Sequence, residues 1–421
     1  MWYGICDCNH FYASCERLYR PDLRDKPVVV LSNNDGCIVA LTKEAKEAGL
    51  RRGDPLFKVK DIVEKNHVFV FSSNYALYQD ISDKVMMALR EQVDGIQQYS
   101  IDESFFTAEE ADQMWCDTLQ ETMVRWTGMP VAVAVARTKT LAKAGEEMCK
   151  HSSHPSLFVT KEKEEEILSH TAIGDVWGIG WRGGPKLQRC GVMTALDLIR
   201  KDDVWIRKRL GINGLKTAME LRGTTTISVM EPERKSMCSG ISFGVPLTTK
   251  EELKEAAARH AMTLAGKLHA HHLAAATLTF TAFTDRFRED FICPLGSLHF
   301  SHPTAYAPIL AEGCGRIIDR IFVPGRYKGC RIWATDLIGE GTMQLDFTDN
   351  EDTMKRYKKQ DAMGNAIEEI HQRYGRLSIM VGATGLKGKD DLMHQERLSP
   401  HYTTRFSDLP VANANPITRL F

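Results

Sequence analysis

The sequence predicts a multidomain chain of mixed α/β and α+β class, and three observations predict it. Up to about residue 165, strand-like apolar runs alternate with helical stretches, the pattern of strands covered by helices. From 167 to 234 the chain turns helical and is punctuated by glycines. Beyond 235, a capped helix leads into a run whose residues alternate between apolar and polar.

The first apolar run, Trp2 to Cys6, reads as a short buried strand ending in Asp7. Pro27 to Leu31, Val68 to Phe71 and Val131 to Ala136 are further strand candidates, and Gln79 to Gln92 has helical spacing. Gln98 to Phe106 reads as one strand with Asp102 and Glu103 midway along it. In the helical region, Trp177-Gly178-Ile179-Gly180, followed by Lys186, alternates apolar residues with glycine and so lets backbone amides face a phosphate with no Cβ in the way. A plain helix turn is the simpler structural use of the same residues. Glu231-Pro232-Glu233 breaks the chain. Thr249 with Glu252 then forms a capping box, and Leu253, Ala256, Ala257, Leu264 and Leu268 mark one helix face. Ala276 to Ala282 alternates, with Leu278 and Phe280 on one side and Thr277, Thr279 and Thr281 on the other, a half-buried strand. The last eighty or so residues contain a helical stretch around Glu368 to Arg373 and a β-like Leu377 to Gly382.

Composition narrows the class. The chain has 421 residues, 43% of them hydrophobic, enough for two to four modules with cores of their own. No stretch approaches a membrane span, and Met1 to Ile5 lacks a basic segment before an apolar core, so neither membrane insertion nor a secretory signal is expected. Eleven cysteines with no C-x-x-C pair predict reduced thiols in a cytoplasmic protein, with no disulfide framework and no zinc site. With 54 Lys+Arg against 55 Asp+Glu, the formal charge of -1 speaks against a uniformly basic nucleic-acid binder. Locally the balance shifts: Ile167 to Arg234 holds eleven basic and seven acidic residues, and phosphate contact depends on local placement. The acidic runs Lys161 to Glu166 and Asp346 to Asp352 read as solvated loops. His269, His271 and His272 read as a solvated helix terminus and not as a metal site.

Asp7, Asp102 and Glu103 carry the chemistry. On neighbouring strands of one sheet they come together, and buried acids that meet need cations. Hard oxygen ligands suit Mg²⁺, the equipment of phosphoryl or nucleotidyl transfer. An Asp at a strand end also serves as a turn or cap residue, so this pattern alone does not decide the matter.

The surrounding residues do more. Asp7-Cys8-Asn9-His10-Phe11-Tyr12-Ala13-Ser14, Arg20-Pro21-Asp22-Leu23, Lys26-Pro27-Val28-Val29-Val30 and Tyr99-Ser100-Ile101-Asp102-Glu103 resemble, in order and spacing, the Y-family translesion DNA polymerases. Ser32 to Cys37, Gly53-Asp54-Pro55, Phe71 to Tyr75, Thr138 to Lys143 and Leu398 to Arg405 are similar to the UmuC-like subfamily, the catalytic subunits of bacterial DNA polymerase V. The likeness spans nearly the whole chain.

That resemblance implies a right-hand polymerase: palm in residues 1–14 and 73–166, small fingers in 15–72, a helix-hairpin-helix thumb in 167–234, a little finger in 235–340 and a C-terminal extension in 341–421. It implies two Mg²⁺ ions on Asp7, Asp102, Glu103 and the backbone carbonyl of Cys8. It places Tyr12 as a steric gate against the ribose 2′-hydroxyl, with Phe11 beneath it. Lys46 and Lys150 are implied as triphosphate contacts, and Lys43 falls beside them. Gly36, Cys37 and Val39 would roof the templating pair with small side chains, and Gly178, Gly180 and Lys186 would meet the DNA backbone. Implied partners are primer-template DNA, dNTPs, a sliding clamp docked through Gln344, Leu345 and Phe347, and a UmuD-type dimer with RecA. The implied setting is the bacterial cytoplasm, at the nucleoid when active. No segment is left for a proofreading exonuclease.

Some residues depart from the family pattern. His10 replaces a small or aromatic residue, Ser104 stands where Ala is usual, Gln344-Leu345-Asp346-Phe347 is one apolar residue short of the clamp peptide, and Cys238 to Gly244 lacks an arginine. None removes a metal ligand. Two rival readings are another palm-type two-metal nucleotidyl enzyme and a catalytically inactive DNA-binding or clamp-associated accessory protein. The hairpin and the second gripping module argue against the first, and the three carboxylates against the second.

Overall fold

The computed structural model describes the chain apart from residues 228–233, 341–348, 376–377, 386–392, 404 and 410–421. It divides into two compact units, residues 1–231 with 396–421, and residues 232–395. Among the described residues eight strands belong to the first unit: β1 (Trp2–Cys8), β2 (Val28–Leu31), β3 (Ile38–Leu41), β4 (Phe69–Ser72), β5 (Gly95–Gln98), β6 (Glu103–Ala108), β7 (Val131–Ala136) and β8 (Ser156–Phe158).

The larger sheet has the order β5-β6-β1-β7-β8, with β1 antiparallel to both neighbours and β7 parallel to β8. Because β1 lies in the middle and is covered on both faces, its apolar run is nearly continuous. Alternation still sorts the side chains. Cys6, Cys8, Val131, Val133 and Val135 face the helices Tyr75–Arg90 and Gln113–Thr127, while Ile5, Phe105, Ala134 and Ala136 face the helix Lys139–His151. Gly4 pairs with Phe106, whose ring lies across it: a Cβ on Gly4 would fall 2.0 Å from the ring's Cζ.

A second, three-stranded sheet of order β3-β2-β4 carries its own small core of Val29, Leu31, Ile38, Leu41, Ala45 and Leu50. Thr42 joins this sheet to the helix Lys43–Glu47, its hydroxyl accepting from the amides of Val28 (3.1 Å) and Ala45 (3.4 Å).

The stretch Gln98 to Phe106 is not one strand. β5 and β6 form a hairpin whose turn is Tyr99 to Asp102, because the Ser100 hydroxyl accepts from the amides of Asp102 (3.2 Å) and Glu103 (3.1 Å) and closes the turn. Lys161 to Glu166 is likewise no loop. It opens the helix Lys161–His170, where acids sit at the favourable N-terminal end and Glu164 meets Arg137 at 2.7 Å.

The second unit is an antiparallel sheet of order β11-β10-β12-β9, formed by β9 (Ser236–Leu247), β10 (Leu273–Phe283), β11 (Leu295–Thr304) and β12 (Tyr327–Gly339). The helices Lys250–Ala270 and Ala307–Ile321 pack on one face, over Leu278, Phe280 and Ile332. The Thr249–Glu252 capping box is present. His269 is not solvated: its Nδ1 lies 2.8 Å from Glu340, while His272 stays exposed. Asp349, read as part of a solvated run, is buried against His302 at 2.7 Å, and the other nitrogen of His302 meets the Tyr357 hydroxyl at 2.7 Å. The helical stretch around Glu368 extends over Glu351–Tyr374, capped by Asn350. The β-like segment is not a strand in its described residues: Val381 packs on the sheet-covering helices, and Gly382–Thr384 is a 3₁₀ turn. Among the described residues no helix is long and apolar enough to cross a membrane.

The Gly4–Phe106 contact predicts that Gly4→Val destabilises the first unit by about 1–3 kcal/mol through overpacking. Urea unfolding of the wild type and the variant, compared at equal m-value, measures it.

Candidate active site

Asp7 and Glu103 are directly opposed in the β1–β6 register, so their side chains leave the same face of the sheet. That face is the one bearing Ile5 and Phe105, and it is covered by the helix Lys139–His151. Lys143, Glu146 and Lys150 recur on that helix at i, i+3 and i+7, one stripe aimed at the sheet. The Lys143 ammonium lies 2.9 Å from Glu103, 3.0 Å from Glu146 and 3.4 Å from Asp7. Lys150 lies 2.7 Å from Glu146 and 3.4 Å from Asp7. Glu146 is fully buried.

Burial, and then Glu146, push the Asp7 carboxyl up to about 8 against the pull of the two lysines. Burial, the largest single influence, works in the same direction on Glu103, but Lys143, the contact with Asp7 and Lys150 together outweigh it and hold that carboxyl below its ordinary value. Burial opposes charge on Lys143 and Lys150 too, yet the surrounding carboxylates keep both raised. The cluster therefore requires cations, and the lysines supply them.

Asp102 sits at the end of the hairpin turn, its carboxylate accepting from the Ser100 hydroxyl and its backbone carbonyl accepting from the Cys8 amide at 2.9 Å. Among the described residues no three His, Cys, Asp or Glu side chains form a ready metal cluster. The structure brings Asp7 and Glu103 together across Lys143, with Asp102 the next residue along the turn. The donor chemistry fits a hard divalent cation: carboxylate oxygens on adjoining strands, already arranged around positive charge. Sequence reasoning missed Glu146 and the bridging role of Lys143. Their helical spacing behind β7 was the available signal.

Phe11 is buried in the core, while Tyr12 is half-buried. The Tyr12 ring stacks on Tyr78 with centroids 4.6 Å apart and meets Tyr75 edge-on at 5.8 Å. Lys43 and Lys46 are exposed on the short helix Lys43–Glu47, Lys43 lying 3.9 Å from Glu47. Cys37 and Ser32 pin the loop that contains Gly36: the Cys37 amide donates to the Ser32 hydroxyl at 3.1 Å, and the Ser32 amide to the Cys37 carbonyl at 2.7 Å. Val39 follows on β3, half-buried.

Gly178 has φ +88°, and a Cβ there would lie 2.5 Å from the Thr217 hydroxyl, so the turn itself requires glycine. The amides of Ile179, Gly183 and Gly184 are engaged by the carbonyls of Val176 and Gly180. Gly180 and Lys186 are exposed beside them. Gln344, Leu345 and Phe347 lie outside the described residues.

Comparison with known proteins finds relatives over nearly the whole chain. The impB/mucB/samB family matches residues 6–147, the C-terminal domain of that family matches 234–347, and a domain of unknown function matches 361–412. Protein UmuC of Salmonella typhimurium is 33% identical over 97% of this chain and 99% of its own length, and Protein SamB of the same organism is 34% identical with the same coverage. DNA polymerase IV 1 of Bacillus subtilis is 26% identical over 90% of the chain and 92% of its own length. Among solved structures, a Y-family DNA polymerase chimera of Dbh and Dpo4 superposes with a TM-score of 0.65 over 81% of this chain and all of its own, at 18% identity.

Removing Lys143 leaves Asp7, Glu103 and Glu146 short of one cation. Lys143→Ala should cost about 3–5 kcal/mol of stability in metal-free buffer. Added Mg²⁺ should restore part of that loss, giving the variant a larger Mg²⁺-dependent rise in unfolding temperature than the wild type. Calorimetry with and without the ion reads both effects.

Proposed function

Because the chain belongs to the impB/mucB/samB family of UmuC-like Y-family polymerases, and is therefore a DNA-directed DNA polymerase of the error-prone translesion class, we propose that Asp7, Asp102 and Glu103 are its catalytic carboxylates. The observation that carries this reading is the opposition of Asp7 and Glu103 around a half-buried lysine, on the strands where the family match lies. Members of this family use divalent metal. Two Mg²⁺ ions held by the three carboxylates and the Cys8 carbonyl would activate the primer 3′-hydroxyl and neutralise the triphosphate.

The chain's own residues do the rest. Lys150, set beside Asp7, and Lys46, exposed on its helix, supply charge to the incoming triphosphate, with Lys43 at the margin. Tyr12, its ring backed by Tyr78, presents a flat wall that leaves no space for a 2′-hydroxyl. The small residues Gly36 and Cys37, with Val39 behind them, leave an open roof over the templating pair, the physical basis of low base selection.

Residues 1–14 and 73–166 serve as palm, 15–72 as fingers, 167–234 as thumb and 235–340 as little finger. Primer-template DNA and dNTPs are the substrates, with Gly178, Gly180 and Lys186 at the DNA backbone. Residues 341–421 form the extension, within which Gln344, Leu345 and Phe347 would dock on a sliding clamp. A UmuD-type dimer and RecA complete the proposed partners, and the proposed setting is the bacterial cytoplasm.

Primer extension by the purified protein on undamaged and abasic templates tests the activity. Asp102→Ala should reduce synthesis by orders of magnitude with DNA affinity little changed, and retained extension would sink the carboxylate assignment. Tyr12→Ala should admit ribonucleotides, because a clash of a few kcal/mol corresponds to discrimination of roughly hundreds- to thousands-fold. Single-nucleotide insertion kinetics with each dNTP and its rNTP measure the ratio of kcat/KM.

A further inference from the structure

The helix Phe11–Leu18 places Glu16 one turn beyond Tyr12, inside the protein. A buried carboxyl requires donors, and Glu16 finds two. The Tyr78 hydroxyl donates to its Oε1 at 2.6 Å and the Ser399 hydroxyl donates to the same oxygen at 3.1 Å. Its Oε2 has no hydrogen-bond partner among the described residues. Burial pushes the carboxyl up to about 7, with both hydroxyls pulling the other way.

Ser399 comes from the far end of the chain and is held there by several contacts. The Arg397 amide donates to the Ser72 hydroxyl at 3.0 Å, and the Ser72 amide donates to the Arg397 carbonyl at 2.9 Å. The Asn74 side-chain amide donates to the Ser399 carbonyl at 3.2 Å and hydroxyl at 3.0 Å, while its oxygen caps the helix Tyr75–Arg90 by accepting from the Leu77 amide at 3.2 Å. Tyr402 stacks on Tyr19 at 4.8 Å with an interplanar angle of 11°. The Glu396 amide donates to Asp35 at 3.1 Å, next to Gly36 of the roof loop.

We propose that the C-terminal segment Arg397–Tyr402 is a built-in part of the sugar-discriminating wall, with Ser399 as the positioning residue that acts through Glu16 and Tyr78 on Tyr12. The proposal rests on the reading of Tyr12 as the steric gate. Tyr78 is fully buried, and one face of the Tyr12 ring lies on it at 4.6 Å, so the place of the gate follows from the place of the Tyr78 ring. Glu16 holds the Tyr78 hydroxyl, and Ser399 holds Glu16. Without the Ser399 hydroxyl the buried carboxyl keeps a single donor, and the gate's backing loses its fixed position.

The test is single-nucleotide insertion by the full chain, comparing the dNTP:rNTP ratio of kcat/KM in wild type, Ser399→Ala, Ser399→Thr, Tyr12→Ala and the Tyr12→Ala/Ser399→Ala double variant. Ser399→Ala should lower the ratio by about tenfold, mainly by raising ribonucleotide insertion. Ser399→Thr, which keeps the hydroxyl, should retain the wild-type ratio, and Ser399→Ala should add nothing once Tyr12 is Ala. A Tyr12→Ala variant that loses sugar selection beside a Ser399→Ala variant that keeps it would overturn the proposal alone. Equal losses of dNTP and rNTP insertion in Ser399→Ala, or full additivity in the double variant, would also overturn it. An unchanged ratio in Tyr12→Ala would overturn the steric gate itself and this proposal with it.

Discussion

The need of buried acids for cations organises the first unit. Asp7 and Glu103 face each other because β1 and β6 are antiparallel neighbours, and Glu146 rises beneath them from the covering helix. Three carboxylates in a poorly hydrated space are untenable without positive charge. Lys143 and Lys150 meet that need, and the stripe they form with Glu146 orients the helix on the sheet. An arrangement that needs cations to fold is also one in which a hard divalent cation is favoured.

The helix Phe11–Leu18 then distributes the consequences. Phe11, Ala13 and Cys15 are buried in the core, Tyr12 is half-buried against Tyr78, and Glu16 is turned toward Ser399. A helix of eight residues cannot hold its own position by hydrogen bonding alone. It is set by packing on the sheet and by the Glu16–Tyr78–Ser399 hydroxyl network, which ties together segments more than three hundred residues apart. Such long-range closure is slow to form, and it makes Ser399 part of the first unit's interior.

In the second unit the same logic appears with histidine. His302, on the edge strand β11, lies between Asp349 and Tyr357 of the helix Glu351–Tyr374, and His269, near the end of the helix Lys250–Ala270, meets Glu340 just past β12. Between the sheet and its helices the contacts are apolar. A run of alanines at 256, 257, 258, 261 and 265 leaves the helix Lys250–Ala270 slim on its buried side.

By itself the sequence determined the strands β1, β2 and β7, the alternating β10 and the Thr249 capping box, because each follows from local periodicity or a short motif. The family resemblance added roles that no periodicity carries. Tertiary structure alone decided the rest. The break of Gln98 to Phe106 into a hairpin depends on one serine hydroxyl, and the acidic run at Lys161 to Glu166 becomes a helix because distant arginines meet it. Asp349 and His269 looked solvated because charge in a sequence carries no record of a buried partner. Glu146 and Ser399 stayed hidden for the same reason: their partners lie across a sheet or at the other end of the chain, and only folding brings a lone acid and its cations or donors within a few ångströms.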